Sequence, residues 1–145
     1  IRIDNKFDDQ ILSKLESFRD KVDRIRLSLN TKLKELNREY SIIFGYSAPA
    51  KTVTLLSLLD KEIIDNIKFI IDDNKIKQGR YIPRTKIPLI ATSDAIERIK
   101  NKKSACIIFA WNMFDEISKK IINHEKLNPD ILISPLPELT IKKIK

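Results

Sequence analysis

The chain has 145 residues, 28 Lys+Arg against 20 Asp+Glu, and a formal net charge of +8. Its 42% hydrophobic content supplies enough apolar side chain to offset chain entropy, which excludes a disordered chain. No apolar run approaches the roughly 18 residues that span a bilayer, and the lone Cys106 excludes a disulfide framework or a multi-cysteine metal site.

Residues 8–38 read as helix. Ile11, Leu15, Phe18, Val22, Ile25, Leu29, Leu33 and Leu36 recur at steps of three and four, which places them on one stripe. One long helix, or two broken near Asn30–Thr31, fits this pattern. A coiled-coil seam is the rival reading, set against by the change of pattern at Glu39–Tyr40.

From there the chain alternates strand and helix. Residues 40–46 form an apolar, β-branched run that closes on Gly45–Tyr46, the pattern of a buried strand. Ala48 to Leu59 reads as helix and 67–71 as a second strand. A polar loop with Gly79 and Pro83 covers 75–86. Residues 87–90 form a short strand whose Pro88 lacks an N–H, so it is an edge or a strand start. Ala95 to Lys102 is helical, capped by Ser93 or Asp94, with Glu97 spaced to complete a capping box with Asp94. Strand 105–109, helix 114–124 and a short strand at 131–133 follow. Cys106 sits inside an apolar run, where a small buried thiol is the simplest reading.

This alternation predicts an α/β fold: an open, mostly parallel sheet with helices on both faces, preceded by a long helical segment. The expected division is a helical arm at 1–39 and an α/β domain at 40–145. The chain opens Ile1–Arg2–Ile3 and its only methionine is Met113, so it is expected to be a piece of a larger protein.

Ligands of open parallel sheets bind at the carboxyl ends of the strands, near the point where strand order reverses. Three loops are thereby singled out. The first, Gly45 to Lys51, leads into a helix N-terminus, where free N–H groups and the Lys51 charge favour an anion. An ordinary strand–helix turn explains it equally well, because Ser47 and Ala50 break the Gly-x-Gly-x-x-Gly fingerprint. The second starts at Asp72–Asp73–Asn74 and carries Lys75, Lys77, Arg80, Arg84 and Lys86 with no acid among them. It is either a phosphate site or a solvated surface. Asp72 either accepts from sugar hydroxyls or caps its turn. The third, Ala110–Trp111–Asn112, places the only Trp at a strand end, as core or as ligand platform, with Asn112 expected to cap the next helix. No catalytic triad, metal spacing or P-loop is present, and the lone His124 reads as a surface residue.

Three stretches together resemble a known family. Phe44–Gly45–Tyr46–Ser47–Ala48–Pro49–Ala50–Lys51 is similar to the Gly-Tyr-Gly-Ala-x-Ala-Lys signature of sugar C-methyltransferases. Asp72 to Pro83, followed by Ile87–Pro88–Leu89, resembles their Lys-x-Gly-Arg-Tyr-Leu-Pro-Gly and Ile-Pro-Ile run. Ala110–Trp111–Asn112 with Asp115–Glu116–Ile117 resembles their Trp-Asn and acidic-Glu-Ile motif. Order and spacing agree over residues 41–137, and a helix precedes the stretch in that family too. Matching positions are Gly45, Ala48, Lys51, Lys77, Gly79, Arg80, Tyr81, Pro83, Trp111, Asn112 and Glu116. Departures are Ser47 for the second glycine, Thr52 after Lys51 and Arg84 after Pro83.

The resemblance is to the C-terminal, Rossmann-like domain of SAM-dependent C-methyltransferases that act on nucleotide-linked deoxysugars. It implies a non-catalytic, cytoplasmic domain that helps hold a nucleotide-diphosphate sugar against a central SAM-binding domain. SAM and zinc are expected in N-terminal domains of the parent protein, and no cofactor or metal in this segment. The substrate-binding residues it suggests are Lys51, Asp72, Lys77, Gly79, Arg80, Tyr81, Trp111 and Asn112: Lys51 and Arg80 for negative charge, Asp72 for hydroxyls, Trp111 and Asn112 for pocket shape. A purely architectural domain without ligand is the alternative. Membrane binding is not expected. Nucleic-acid binding ranks last, because the excess charge is spread: ten cations against eight acids in residues 1–40, and eighteen against twelve in the rest.

Overall fold

A computed structural model describes residues 5–145 apart from Glu125, with side chains from residue 8 onward. The opening Ile1–Arg2–Ile3 lies outside the described residues.

The first helix, α1 (Asn5–Glu39), is unbroken for 35 residues. The sheet then builds from β1 (Ile42–Tyr46), β2 (Ile67–Ile71), β3 (Leu89–Ile90), β4 (Ser104–Ile108), β5 (Ile131–Ser134) and β6 (Thr140–Lys143). Its order is β3-β2-β1-β4-β5-β6. The first five strands are parallel, and β6 runs antiparallel to β5. Helices α2 (Lys51–Leu56) and α3 (Lys61–Asn66) connect β1 to β2, α4 (Thr92–Ile99) connects β3 to β4, and α5 (Phe114–Ile122) connects β4 to β5.

The order dictates which face each helix covers. Crossovers between parallel strands are right-handed. From β1 the chain steps one way to β2, and from β4 it steps the other way to β5, so their helices lie on opposite faces. The two buried clusters agree. Leu29, Leu33 and Leu36 of α1 pack with Leu55, Leu56 and Ile63 over Ile43, Ile70, Ile107 and Phe109. Ala95, Ile99, Ile117 and Ile121 pack over Phe44, Phe69, Ile71 and Ile108 on the other face. Successive residues of β1 and β4 point to opposite faces, and both sets are buried, as expected of a sheet covered twice.

Both glycines have a structural reason. A Cβ on Gly45 would stand 2.5 Å from Phe109 Cε2 and 2.7 Å from Ile70 Cγ1, so Phe109 lies directly on the backbone of β1. Gly79 has φ +80, the left-handed region, with open space around it.

Several local expectations change. The break near Asn30–Thr31 is absent. Buried Asn30 donates to the Arg26 and Leu58 carbonyls at 2.8 and 2.9 Å and accepts from Asp60 N–H at 2.6 Å, so it pins the unbroken helix to the α2–α3 connection. The helix expected over 48–59 is only α2, and α3 was not anticipated. Helix α4 starts at Thr92 with no side-chain cap, so the Asp94–Glu97 box does not form. Asp94 lies instead in the first turn, where the helix dipole favours an acid. Strand β6, whose four residues are all on the exposed side, is a further element the alternation does not predict. Cys106 is buried, and burial pushes its thiol far up from the ordinary range. None of the described helices is long and apolar enough to cross a membrane.

Candidate functional site

Strand order reverses between β1 and β4. The carboxyl ends of these two strands, with the loops after β1, β2 and β4, form the edge where an open α/β sheet places ligands. Hydrogen bonds tie the three loops together. Ser47 N–H donates to the Ile71 carbonyl at 2.7 Å, Ala48 N–H to Asp72 Oδ2 at 2.9 Å, and Phe109 N–H to the Tyr46 carbonyl at 3.1 Å. Ser47 sits at φ +64. It holds a left-handed conformation that glycine adopts without penalty, so a serine stands at a backbone position made for glycine.

The sheet divides this edge into two sides. On the α2 side, Lys51 Nζ lies 4.1 Å over the Trp111 ring and donates to Asn112 Oδ1. Trp111 packs against the α1–α3 core. Asn112 therefore does not cap α5; it lies in the 3-10 turn Trp111–Met113, and α5 begins without a side-chain cap.

On the α5 side a cleft of about 340 Å³ opens, lined by Tyr46, Ser47, Asp72, Asp73, Ala110, Met113, Glu116, Ile117 and Lys120. Asp73 accepts from Lys120 Nζ and, at 3.3 Å, from the Tyr46 hydroxyl. Lys120 Nζ lies 5.8 Å from the centroid of the Tyr46 ring. The hydrogen bond to Asp73 raises the Lys120 pKa above its ordinary value. Burial, the largest influence, raises that of the Tyr46 phenol, so it stays protonated at neutral pH. The cleft thus presents one cation, Lys120, the carboxylates of Asp73 and Glu116 and a neutral phenol beside an apolar floor.

Asp72 separates from this group. It is 7% exposed. Its Oδ2 accepts from Ala48 N–H and, at 3.2 Å, from Lys77 Nζ, while its Oδ1 accepts from Asn74 N–H at 2.9 Å. Lys77 also donates to the Ala48 carbonyl at 2.9 Å. Asp72 therefore clamps the loop after β1 to the loop after β2, as a turn-capping aspartate would.

Gly79, Arg80 and Tyr81 lie further out. Residues 79–82 fold back on 87–89, with Gly79 N–H donating to the Leu89 carbonyl and Leu89 N–H to the Arg80 carbonyl, both at 2.8 Å. This places the segment beyond β3, three strand spacings or about 14 Å from β1. The structure therefore brings Lys51, Trp111, Asn112, Asp72 and Lys77 to the carboxyl edge of the central strands. Arg80 and the exposed Tyr81 stand at the outer margin of the sheet.

The sequence brought in Tyr46 and Asp73 only as members of their loops, with no role of their own, and passed over Met113 and Lys120. Asp73 carried a signal, being next to Asp72 at a strand end. Glu116 and Lys120, one turn apart in the helix after β4 with Glu116 in its first turn and Lys120 in its last, carried another. Among the described residues, no group of three or more His, Cys, Asp or Glu side chains could hold a metal ion.

The family model of the C-methyltransferase C-terminal domain matches residues 4–137. The chain belongs to this family. No curated protein matches it.

Proposed function

We propose that this domain holds a nucleotide-linked sugar at the carboxyl edge of β1 and β4 and presents it to a SAM-binding domain of the parent protein. The observation that carries this reading is the cleft at the strand-order reversal, with Lys120, Asp73 and Tyr46 at its wall, in a chain of the C-methyltransferase C-terminal domain family. In this reading Lys120 meets the diphosphate, and Asp73 exchanges its lysine for a sugar hydroxyl. Lys51 and Asn112 bound the site across the sheet edge. The domain acts by positioning alone, since aligning the reactants is a large part of what a methyl transfer requires. SAM supplies the methyl group when bound in its own domain, and zinc belongs to the parent's N-terminal part.

The same reading takes the sheet as Rossmann-like, supported by its strand order and switch point. It departs from that pattern in the antiparallel β6 and in the loop that replaces a β2–β3 helix. A cytoplasmic location follows from the two metabolites invoked.

The test is calorimetric titration of the chain with a nucleotide-diphosphate sugar. Saturable binding that weakens about tenfold or more in Lys120→Ala supports the proposal. A second reading, a purely architectural domain, is favoured by one observation: Lys51 and Lys77 already have partners within the chain. Absence of binding to the intact domain would favour it.

A further inference from the structure

The two halves of α1 differ in what covers them. Its last apolar residues, Leu29, Leu33 and Leu36, are buried in the core. Further toward its N-terminus, Ile11, Leu15 and Phe18 are in solvent, 41%, 59% and 67% exposed. Val22 and Ile25, between the two, are half-buried.

The spacing differs as well. From Ile11 to Leu29 the apolar steps alternate strictly, four then three, which is the 3.5-residue period of a coiled-coil seam. At Leu29 the alternation breaks, because the step to Leu33 repeats a four. The break falls where the helix docks on the domain. The exposed half therefore carries a seam of its own rather than an extension of the core stripe. At 1.5 Å per residue it runs for about 27 Å.

The charges beside the seam are of one sign. With Leu15, Val22 and Leu29 at position a and Ile11, Phe18 and Ile25 at position d, the flanking g positions hold Lys14, Lys21 and Ser28. The flanking e positions hold Leu12, Arg19 and Arg26. No acid flanks the seam. Glu16, Asp20 and Asp23 all lie on the opposite side, at b and f. A second copy of this helix, parallel or antiparallel, would set lysine and arginine against lysine and arginine across the seam. Self-pairing is disfavoured by this arrangement, and an acidic partner is favoured.

We propose that the N-terminal half of α1 is a docking surface for a partner protein's amphipathic helix, one with an apolar seam flanked by Glu or Asp. This rests on the helix alone and is independent of the sugar-binding reading.

The test uses two synthetic heptad peptides. Both carry Leu at a and d; one has Glu at e and g, the other Lys. The chain is expected to bind the glutamate peptide at least about tenfold more tightly than the lysine peptide, and less tightly as salt rises. Leu15→Ser with Phe18→Ser should abolish binding and leave the thermal unfolding midpoint unchanged, because both side chains are exposed. Reversing Lys14, Arg19 and Lys21 to Glu should invert the preference between peptides, and keeps the proposal testable if the serine variant does not fold. Equal binding of the two peptides, binding of neither, or a homodimer in sedimentation equilibrium that the serine variant dissolves would each overturn the proposal.

Discussion

Asp72 and Asp73 carry the same carboxylate at the end of the same strand, yet they stand in different regions of the edge. Asp72 points into the junction of the loops after β1 and β2, where two backbone N–H groups and Lys77 occupy its oxygens. Asp73 points into the cleft beside α5, half exposed, with the mobile chemistry of a lysine and a phenol as its partners. The difference lies in the donors. Backbone N–H groups cannot turn away, so an acid bound to them holds the loop shape. A lysine ammonium on a flexible stem can be exchanged, so an acid bound to it can serve a ligand.

The largest expected effect breaks the first of these regions. Asp72→Ala leaves the Ala48 and Asn74 N–H groups and the Lys77 ammonium without their acceptor, and should cost about 2–4 kcal/mol in denaturant unfolding. Gly45→Ala acts beneath both regions by driving a Cβ into Phe109 and Ile70. It should cost about 1–3 kcal/mol, read the same way.

Smaller changes sharpen the contrast. Ser47→Gly relieves a left-handed φ and should raise stability by about 0.5–1 kcal/mol, seen as a higher unfolding midpoint. Asp73→Asn removes only an exposed ion pair and should change stability by less than about 0.5 kcal/mol. Its signature is spectroscopic. The Asp73 charge helps keep the Tyr46 phenol protonated, so the variant should ionise Tyr46 at lower pH in an alkaline absorbance titration, with Tyr46→Phe identifying the residue. The sign for stability follows. The folded chain holds this proton more tightly than the unfolded chain, so the contribution of Tyr46 is full below the ordinary tyrosine value of 10.0 and is lost as pH rises through its folded value.

The sheet was legible because its strands are short β-branched runs between turn residues, and 67–71 matches β2 end to end. The elements that escaped lack periodicity. Helix α3 has six residues with only Ile63 buried, and β6 exposes all four of its residues, held by main-chain pairing with β5. Asn30 read as a weak point in the helix, because two of its three hydrogen bonds depend on a loop 28 to 30 residues away. The three loops of the site followed from strand alternation alone. Which side of the sheet each side chain takes did not, since that depends on strand order: Lys51 and Trp111 went to the α2 side and Asp73 and Lys120 to the α5 side.

The central claim is that the cleft between β1 and α5 receives the substrate. Amide NMR spectra of the chain, recorded while a nucleotide-diphosphate sugar is added, test it most directly. The account predicts saturable shifts at Ser47, Asp73, Ala110–Met113 and, in α5, from Glu116 to Lys120. Shifts confined to residues 79–89 at the far margin of the sheet, or no shifts at all, would contradict it.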